Sequence, residues 1–99
     1  MALTKNDGER AFYAGYTPRG YQQITTLTSA VGLTVPANAT FALIASETQS
    51  VRWRDDGTNP TASVGMKLPV DSYFFYTGDL TTIKFIEVTA SAKLNVSYF

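Results

Sequence analysis

The sequence contains neither histidine nor cysteine among its 99 residues. These two side chains supply most general bases at neutral pH, most zinc ligands and the most reactive nucleophiles. Without cysteine there is also no disulfide framework, which for so small a domain favours a reducing compartment or stabilisation by assembly. The two absences favour a protein that binds or builds over an enzyme.

Charge is scarce as well, at 16% of residues, and eight basic residues balance eight acidic ones. A protein that binds nucleic acid by neutralising phosphates needs a basic excess, so we predict no nucleic-acid partner. Zero net charge also removes the long-range repulsion between copies, which makes self-association easier.

Long apolar runs are missing too. No stretch approaches the roughly 20 apolar residues of a membrane-spanning helix, and residues 1–10 lack the apolar segment of a signal peptide. We therefore expect no membrane partner and synthesis in a cytoplasm.

No arrangement of side chains predicts catalysis or metal binding. The oxygen-rich stretch 55–59 lacks the glycine and glutamate spacing of an EF-hand, and a turn accounts for it. The adjacent Asp55 and Asp56 point to opposite faces of a strand, so they cannot flank one glycosidic bond. Serine-nucleophile and phosphate-loop motifs are absent. We predict no catalytic residue, no metal site and no cofactor.

The residues that are present favour β-structure. Short runs rich in β-branched and aromatic residues alternate with turn signals, which is typical of an all-β sandwich or barrel. The runs cover residues 21–27, 30–35, 40–46, 49–55, 66–70, 73–76, 81–88 and 91–99. We predict one domain over residues 20–99, an antiparallel, jelly-roll-like β-sandwich.

The first 19 residues have a different character. Turn and breaker residues bracket a short segment that carries Phe12, Tyr13 and Tyr16. The segment is too short to form its own core, and two interpretations remain open. It is either a strap laid over its own domain or an arm that docks on a neighbouring subunit. Both interpretations make the segment extended, and we refer to residues 1–19 as the predicted N-terminal arm.

Two further patterns bear on assembly. In the run 73–76, four consecutive aromatics send two rings to each face of a strand, so one pair needs cover from the arm or from another subunit. In Arg52-Trp53-Arg54, the indole is either a core filler between two solvated arginines, or the arginines form a fork pair for carboxylates of another chain. The predicted partner-contacting residues are Phe12, Tyr13, Tyr16, Arg19, Arg52, Arg54, Tyr73 and Tyr76.

Residues 51–66 resemble a hairpin found in small virion proteins of tailed bacteriophages. The resemblance lies in Asp56-Gly57, Pro60-Thr61 and Gly65, and it extends through Lys84-Phe85-Ile86-Glu87 to the final strand, so that it covers residues 20–99. Proteins of this kind are often β-sandwiches that decorate the capsid or sit on tail structures. The family pattern marks no catalytic residue, and residues 1–19 fall outside it.

The resemblance implies a non-enzymatic virion protein that stabilises the head by binding the major capsid protein and other virion proteins. It implies a homo-oligomer, with a trimer as the favoured state, on the capsid surface. The alternative is a carbohydrate-binding β-sandwich or a component of the tail and adsorption apparatus. An exposed, coplanar aromatic platform would favour sugar binding, whereas aromatics at a subunit seam would favour assembly.

Removal of residues 1–19 tests the arm. We expect the shortened protein to keep its folded body but to self-associate or attach to particles less strongly, because the aromatic anchors are gone. Sedimentation velocity and particle binding measure this. An unchanged sedimentation coefficient together with unchanged particle binding would contradict the role of the arm.

Overall fold

A computed structural model describes residues 16–99 of the chain. The predicted contacts of Phe12 and Tyr13, and most of the predicted arm, lie outside the described residues. The described part contains eight strands and no helix, which confirms the all-β prediction. The strands are β1 (Gly20–Ile24), β2 (Val31–Gly32), β3 (Ala42–Glu47), β4 (Val51–Arg54), β5 (Met66–Leu68), β6 (Tyr73–Tyr76), β7 (Lys84–Glu87) and β8 (Lys93–Tyr98).

Most strands are shorter than the runs that the sequence predicts, and β1 and β2 show why. β1 ends at Ile24 because the chain then leaves the sheet and places Leu27, which is 1% exposed, in the core. β2 ends at Gly32 because the Thr34 N–H donates to the Gln22 side chain instead of a neighbouring strand. Proline stops β5, since Pro69 follows its last residue and has no N–H for a ladder.

The strands form two four-stranded sheets, and every strand pair in them is antiparallel. The first sheet has the order β1-β8-β3-β6 and the second has the order β2-β7-β4-β5. Each sheet therefore takes strands from both halves of the chain. The pairing brings β1 beside β8, β2 beside β7, β3 beside β6 and β4 beside β5.

Alternation along the strands separates a core face from an outer face. In β3, Ala42 and Ile44 are fully buried, whereas Leu43 between them is half-buried on the other side. Both sheets contribute to one hydrophobic cluster, with Val96 from the first sheet and Phe85 from the second at 0% exposure. Side chains from the connections, including Leu80 and Ile83, complete this cluster. The two sheets thus depend on a shared core.

Ser46 ties the connection between the sheets to the centre of the first one. It is a buried polar residue, and its hydroxyl donates to the carbonyl of Pro69, just after β5. Its backbone N–H donates to the carbonyl of Ser72 at 2.9 Å, and its own carbonyl accepts from Asp71 at 3.1 Å. These bonds fix the crossing from β5 to β6, and therefore the position at which β6 joins β3.

Adjacent residues of β3 test the division into faces. We expect Ile44→Ala to lower the free energy of unfolding by about 2–5 kcal/mol, because it opens a cavity in the shared core. The matched change Leu43→Ala, on the outer face, is expected to cost about 1 kcal/mol or less. Urea unfolding of both variants measures the difference. Equal losses would mean that the assignment of the two faces is wrong.

Candidate functional site

The outer face of the first sheet is bordered by exposed tyrosines. We name it the tyrosine face and define it by the outward residues Tyr21, Leu43, Ala45, Tyr73, Phe75, Asn95 and Ser97. Tyr21 on edge strand β1 is 66% exposed and Tyr73 on edge strand β6 is 68% exposed. The register places smaller residues between them, since Ser97 and Asn95 of β8 lie beside Leu43 and Ala45 of β3. The face is therefore low in the middle, with an aromatic ring at each edge.

A chain of hydrogen bonds crosses this face. The Tyr21 hydroxyl and the Gln23 amide both donate to Asn95 Oδ1, at 2.5 Å and 3.1 Å. Asn95 Nδ2 in turn donates to Glu47 Oε1 at 2.9 Å. The bond to Asn95 restrains the exposed Tyr21 ring, which lowers the entropy that a partner must remove on binding.

Aromatic rings continue the apolar surface at one end of the tyrosine face. Phe41 is buried, although it does not belong to the cluster between the sheets. Its ring stacks on Phe99 with centroids 5.1 Å apart, and Tyr16 meets it edge-on at 4.8 Å. Phe75 lies 6.4 Å away. Tyr16 itself is 49% exposed, so this end of the face combines packed rings with an accessible one.

The structure separates the residues that the sequence grouped as partner contacts. Tyr16 and Tyr73 lie on the outer side of the first sheet, as described above. Arg19 is exposed just before β1, and its backbone N–H donates to the Tyr98 carbonyl at 2.8 Å. The Tyr76 side chain instead points into the core and is 7% exposed, so the surface described here does not include it. The sequence pattern did not single out Tyr21, which proves to be one of the most exposed rings.

Arg52 and Arg54 lie in β4, at the start of the hairpin that connects β4 to β5. Arg52 donates to the carbonyls of Ala62 and Gly65, at 3.1 Å and 2.9 Å. Arg54 holds Asp56 in a two-point contact, Nε to Oδ1 at 3.0 Å and Nη2 to Oδ2 at 2.5 Å. This hydrogen bonding lowers the pKa of the Asp56 carboxyl. Both guanidinium groups thus brace their own hairpin.

Gly65 closes this hairpin at a φ of +142°, which side chains rarely adopt. A Cβ there would lie 3.1 Å from the Trp53 carbonyl oxygen and 3.2 Å from Arg52 Cβ. Gly65, which belongs to the hairpin pattern of the resemblance, is therefore favoured here by its backbone conformation and by close packing.

A second concave site lies beside this hairpin. Its volume is about 390 Å³, and it is lined by Trp53, Arg54, Asp55, Asp56, Val64, Gly65 and Met66. We name it the Trp53 cleft. The indole stacks on Phe74 with centroids 5.3 Å apart, which agrees with the interpretation of Trp53 as a packing residue. The ring is nevertheless only half-buried, because the cleft leaves part of it open.

Tyr76 connects this cleft to the core. Its hydroxyl donates to Asp55 Oδ2 at 2.8 Å. Burial raises the pKa of Tyr76 from 10.0 to about 12, and the hydrogen bond to Asp55 acts in the same direction. The phenol is therefore neutral at physiological pH and positions the Asp55 carboxylate.

Residues 16–99 contain no group of three or more potential metal ligands. Within the same residues there is no helix with the length and apolar character needed to cross a membrane.

Tyr76→Phe tests the hydrogen bond between Tyr76 and Asp55 through the pH dependence of stability. At pH 7 we expect the variant to be less stable by about 1 kcal/mol, since a partly buried hydrogen bond is lost. Because the folded-state pKa is raised, the contribution of the wild-type phenol is complete below pH 10 and is lost as the pH rises towards about 12. The gap between the two proteins should therefore narrow over that range. Urea unfolding across the range measures it, and a constant gap would contradict the raised pKa.

The chain matches no protein-family model, no curated protein and no solved structure. The resemblance of residues 51–66 to virion proteins therefore stays a prediction.

Proposed function

We propose that this chain is a non-enzymatic structural protein of a tailed-bacteriophage virion, of the capsid-decoration type. In this proposal it forms a homo-oligomer on the capsid surface and binds the major capsid protein. The tyrosine face makes the contacts. The observation that carries the proposal is the exposure of Tyr21 and Tyr73 on one face, with Tyr21 fixed in place by Asn95.

The strand order supports the part of the proposal that concerns the fold. We propose that the two sheets form a jelly-roll sandwich. An antiparallel ribbon that pairs the first strand with the eighth, the second with the seventh, and so on inwards, gives the orders 1-8-3-6 and 2-7-4-5 when it is rolled up. Jelly rolls with eight strands recur in viral capsid proteins and lectins. The order is thus compatible with the predicted function and with its sugar-binding alternative.

The chemistry of the tyrosine face favours a protein partner. Tyrosine supplies a large contact area at low conformational cost, and small or amide side chains between the rings provide adaptable hydrogen bonds. On this face the small residues are Ala45 and Ser97, and the amide is Asn95. The edge rings lie on β1 and β6, at opposite sides of the sheet, whereas a sugar-binding platform needs neighbouring coplanar rings.

We further propose that residues 1–19 are an extended N-terminal arm. Two contacts of the described residues support it. Arg19 joins the end of β8 through its backbone, and the Tyr16 ring packs on Phe41 at the end of the tyrosine face. The chain therefore reaches β1 beside the surface assigned to the partner.

Replacing both edge tyrosines tests the proposal. We expect Tyr21→Ser with Tyr73→Ser to weaken self-association by about tenfold per ring, which is roughly 1.4 kcal/mol each, because interface tyrosines are frequent hot spots. Sedimentation velocity over a concentration series measures the change. Val70→Ser is the matched control, since Val70 is 40% exposed and lies outside the tyrosine face. Unaltered association of the double variant, or a wild-type protein that stays monomeric at every concentration, contradicts the assigned interface.

Quantitative mass spectrometry of purified virions tests the location. On the order of hundreds of copies per particle is the result expected for a capsid protein arranged on a symmetric lattice. A copy number near that of a tail ring would assign the protein to the tail and not to the capsid. Absence from the particle would overturn the proposal. Binding to a glycan array that the double tyrosine variant loses would favour the carbohydrate-binding alternative.

A further inference from the structure

The Trp53 cleft is separate from the tyrosine face, and its lining has two chemical characters. Val64 and Met66 are 52% and 60% exposed, and with the indole they form apolar walls. Asp55 adds a carboxylate on the same side of the chain as Trp53, because the two residues are two positions apart at the end of a strand. The cleft thus combines an apolar surface with a neighbouring carboxylate.

The charges of the cleft do not cancel. Arg54 and Asp56 form a closed two-point pair, so each satisfies the other. Asp55 is exposed, and no cationic side chain of residues 16–99 lies within ion-pair distance of it. The contact it does make is with the neutral Tyr76 hydroxyl, at 2.8 Å. One uncompensated negative charge therefore remains beside an aromatic ring.

We propose that the Trp53 cleft binds a lysine or arginine side chain presented by a partner protein. The methylene stem lies along Val64 and Met66, as long basic side chains do on apolar surfaces. The cationic head lies near the indole and the Asp55 carboxylate, where ring and charge both attract it. The inference rests on the proposed function, because a protein partner of the virion supplies the basic residue.

The geometry favours a cationic group over a sugar ring. Phe74 stacks on Trp53 and covers one face of the indole, and the Tyr76 ring meets it edge-on with centroids 6.0 Å apart. The ring is therefore not part of an open aromatic platform. A neutral sugar would also leave the charge of Asp55 uncompensated.

The protein carries its own reporter for this site, since Trp53 is its sole tryptophan. The full chain is titrated with N-acetyl-lysine amide and N-acetyl-arginine amide while Trp53 fluorescence is recorded. N-acetyl-norleucine amide, which has the same apolar stem without the charge, is the neutral probe. We expect saturable binding of the two basic probes that weakens with added salt, and little response to the neutral one.

Asp55→Asn removes the charge and keeps an oxygen that can accept from Tyr76. We expect it to weaken binding of the basic probes about fivefold, the upper range for an exposed ion pair. Asp71→Asn is the control, because Asp71 is also exposed but lies outside the cleft. The affinity of this variant for the basic probes should match that of the wild type. Backbone amide shifts in NMR spectra should move at residues 53–56 and 64–66.

Several results would overturn the inference. One is equal binding of the lysine and norleucine probes, and another is no response to any basic probe at its solubility limit. A fluorescence response to methyl glycosides instead would assign the cleft to a sugar. If Asp55→Asn does not fold, the salt dependence and the neutral probe on the wild-type protein still decide. None of these results depends on Tyr21 or Tyr73, so failure here leaves the test of the tyrosine face intact.

Discussion

The shared hydrophobic core is the constraint on which the rest of the structure depends. Each sheet buries one face in it, and a shift of a strand's register by one residue would move all its inward side chains to the outer face. Ile44 and Leu43 illustrate this, since they are adjacent in sequence and lie on opposite sides of β3. The outward side chains of the first sheet are consequently not constrained by packing in the core, so they are available for other contacts.

The sequence predicted the strands well because their period of two is a local property. The runs at residues 40–46, 73–76 and 91–99 all correspond to strands of the described chain. It predicted the ends of β1 and β2 less well, because those ends depend on distant residues. Leu27 leaves the ladder to fill the core, and its carbonyl accepts from Glu87 at 3.0 Å. Such a contact joins parts of the chain that no local pattern relates.

The candidate surfaces were less predictable than the strands. Alternation in the run 73–76 establishes that two rings point each way, but the pairing with β3 determines which two. Because Tyr76 lies beside the buried Ala42 and Tyr73 beside Ala45, the first faces the core and the second the solvent. The Trp53 cleft could not be predicted at all, since it arises where the 55–65 loop folds back on β4. The contacts of Arg52 with Ala62 and Gly65 that hold this loop appear only in three dimensions.

The side-chain amide of Asn95 gives the tyrosine face a direction. Its oxygen is turned towards β1, where it accepts from Tyr21, and its nitrogen is turned towards β3, where it donates to Glu47. The hydrogen-bonded groups therefore differ along the face, with the Tyr21 phenol at the β1 edge and the Glu47 carboxylate on the central strand β3. A polypeptide that lies across the four strands therefore contacts these groups in one order, and in the reverse order if its direction is reversed. In the proposed interface, such asymmetry would favour a single docking polarity, and a contact with fixed polarity can propagate around a ring.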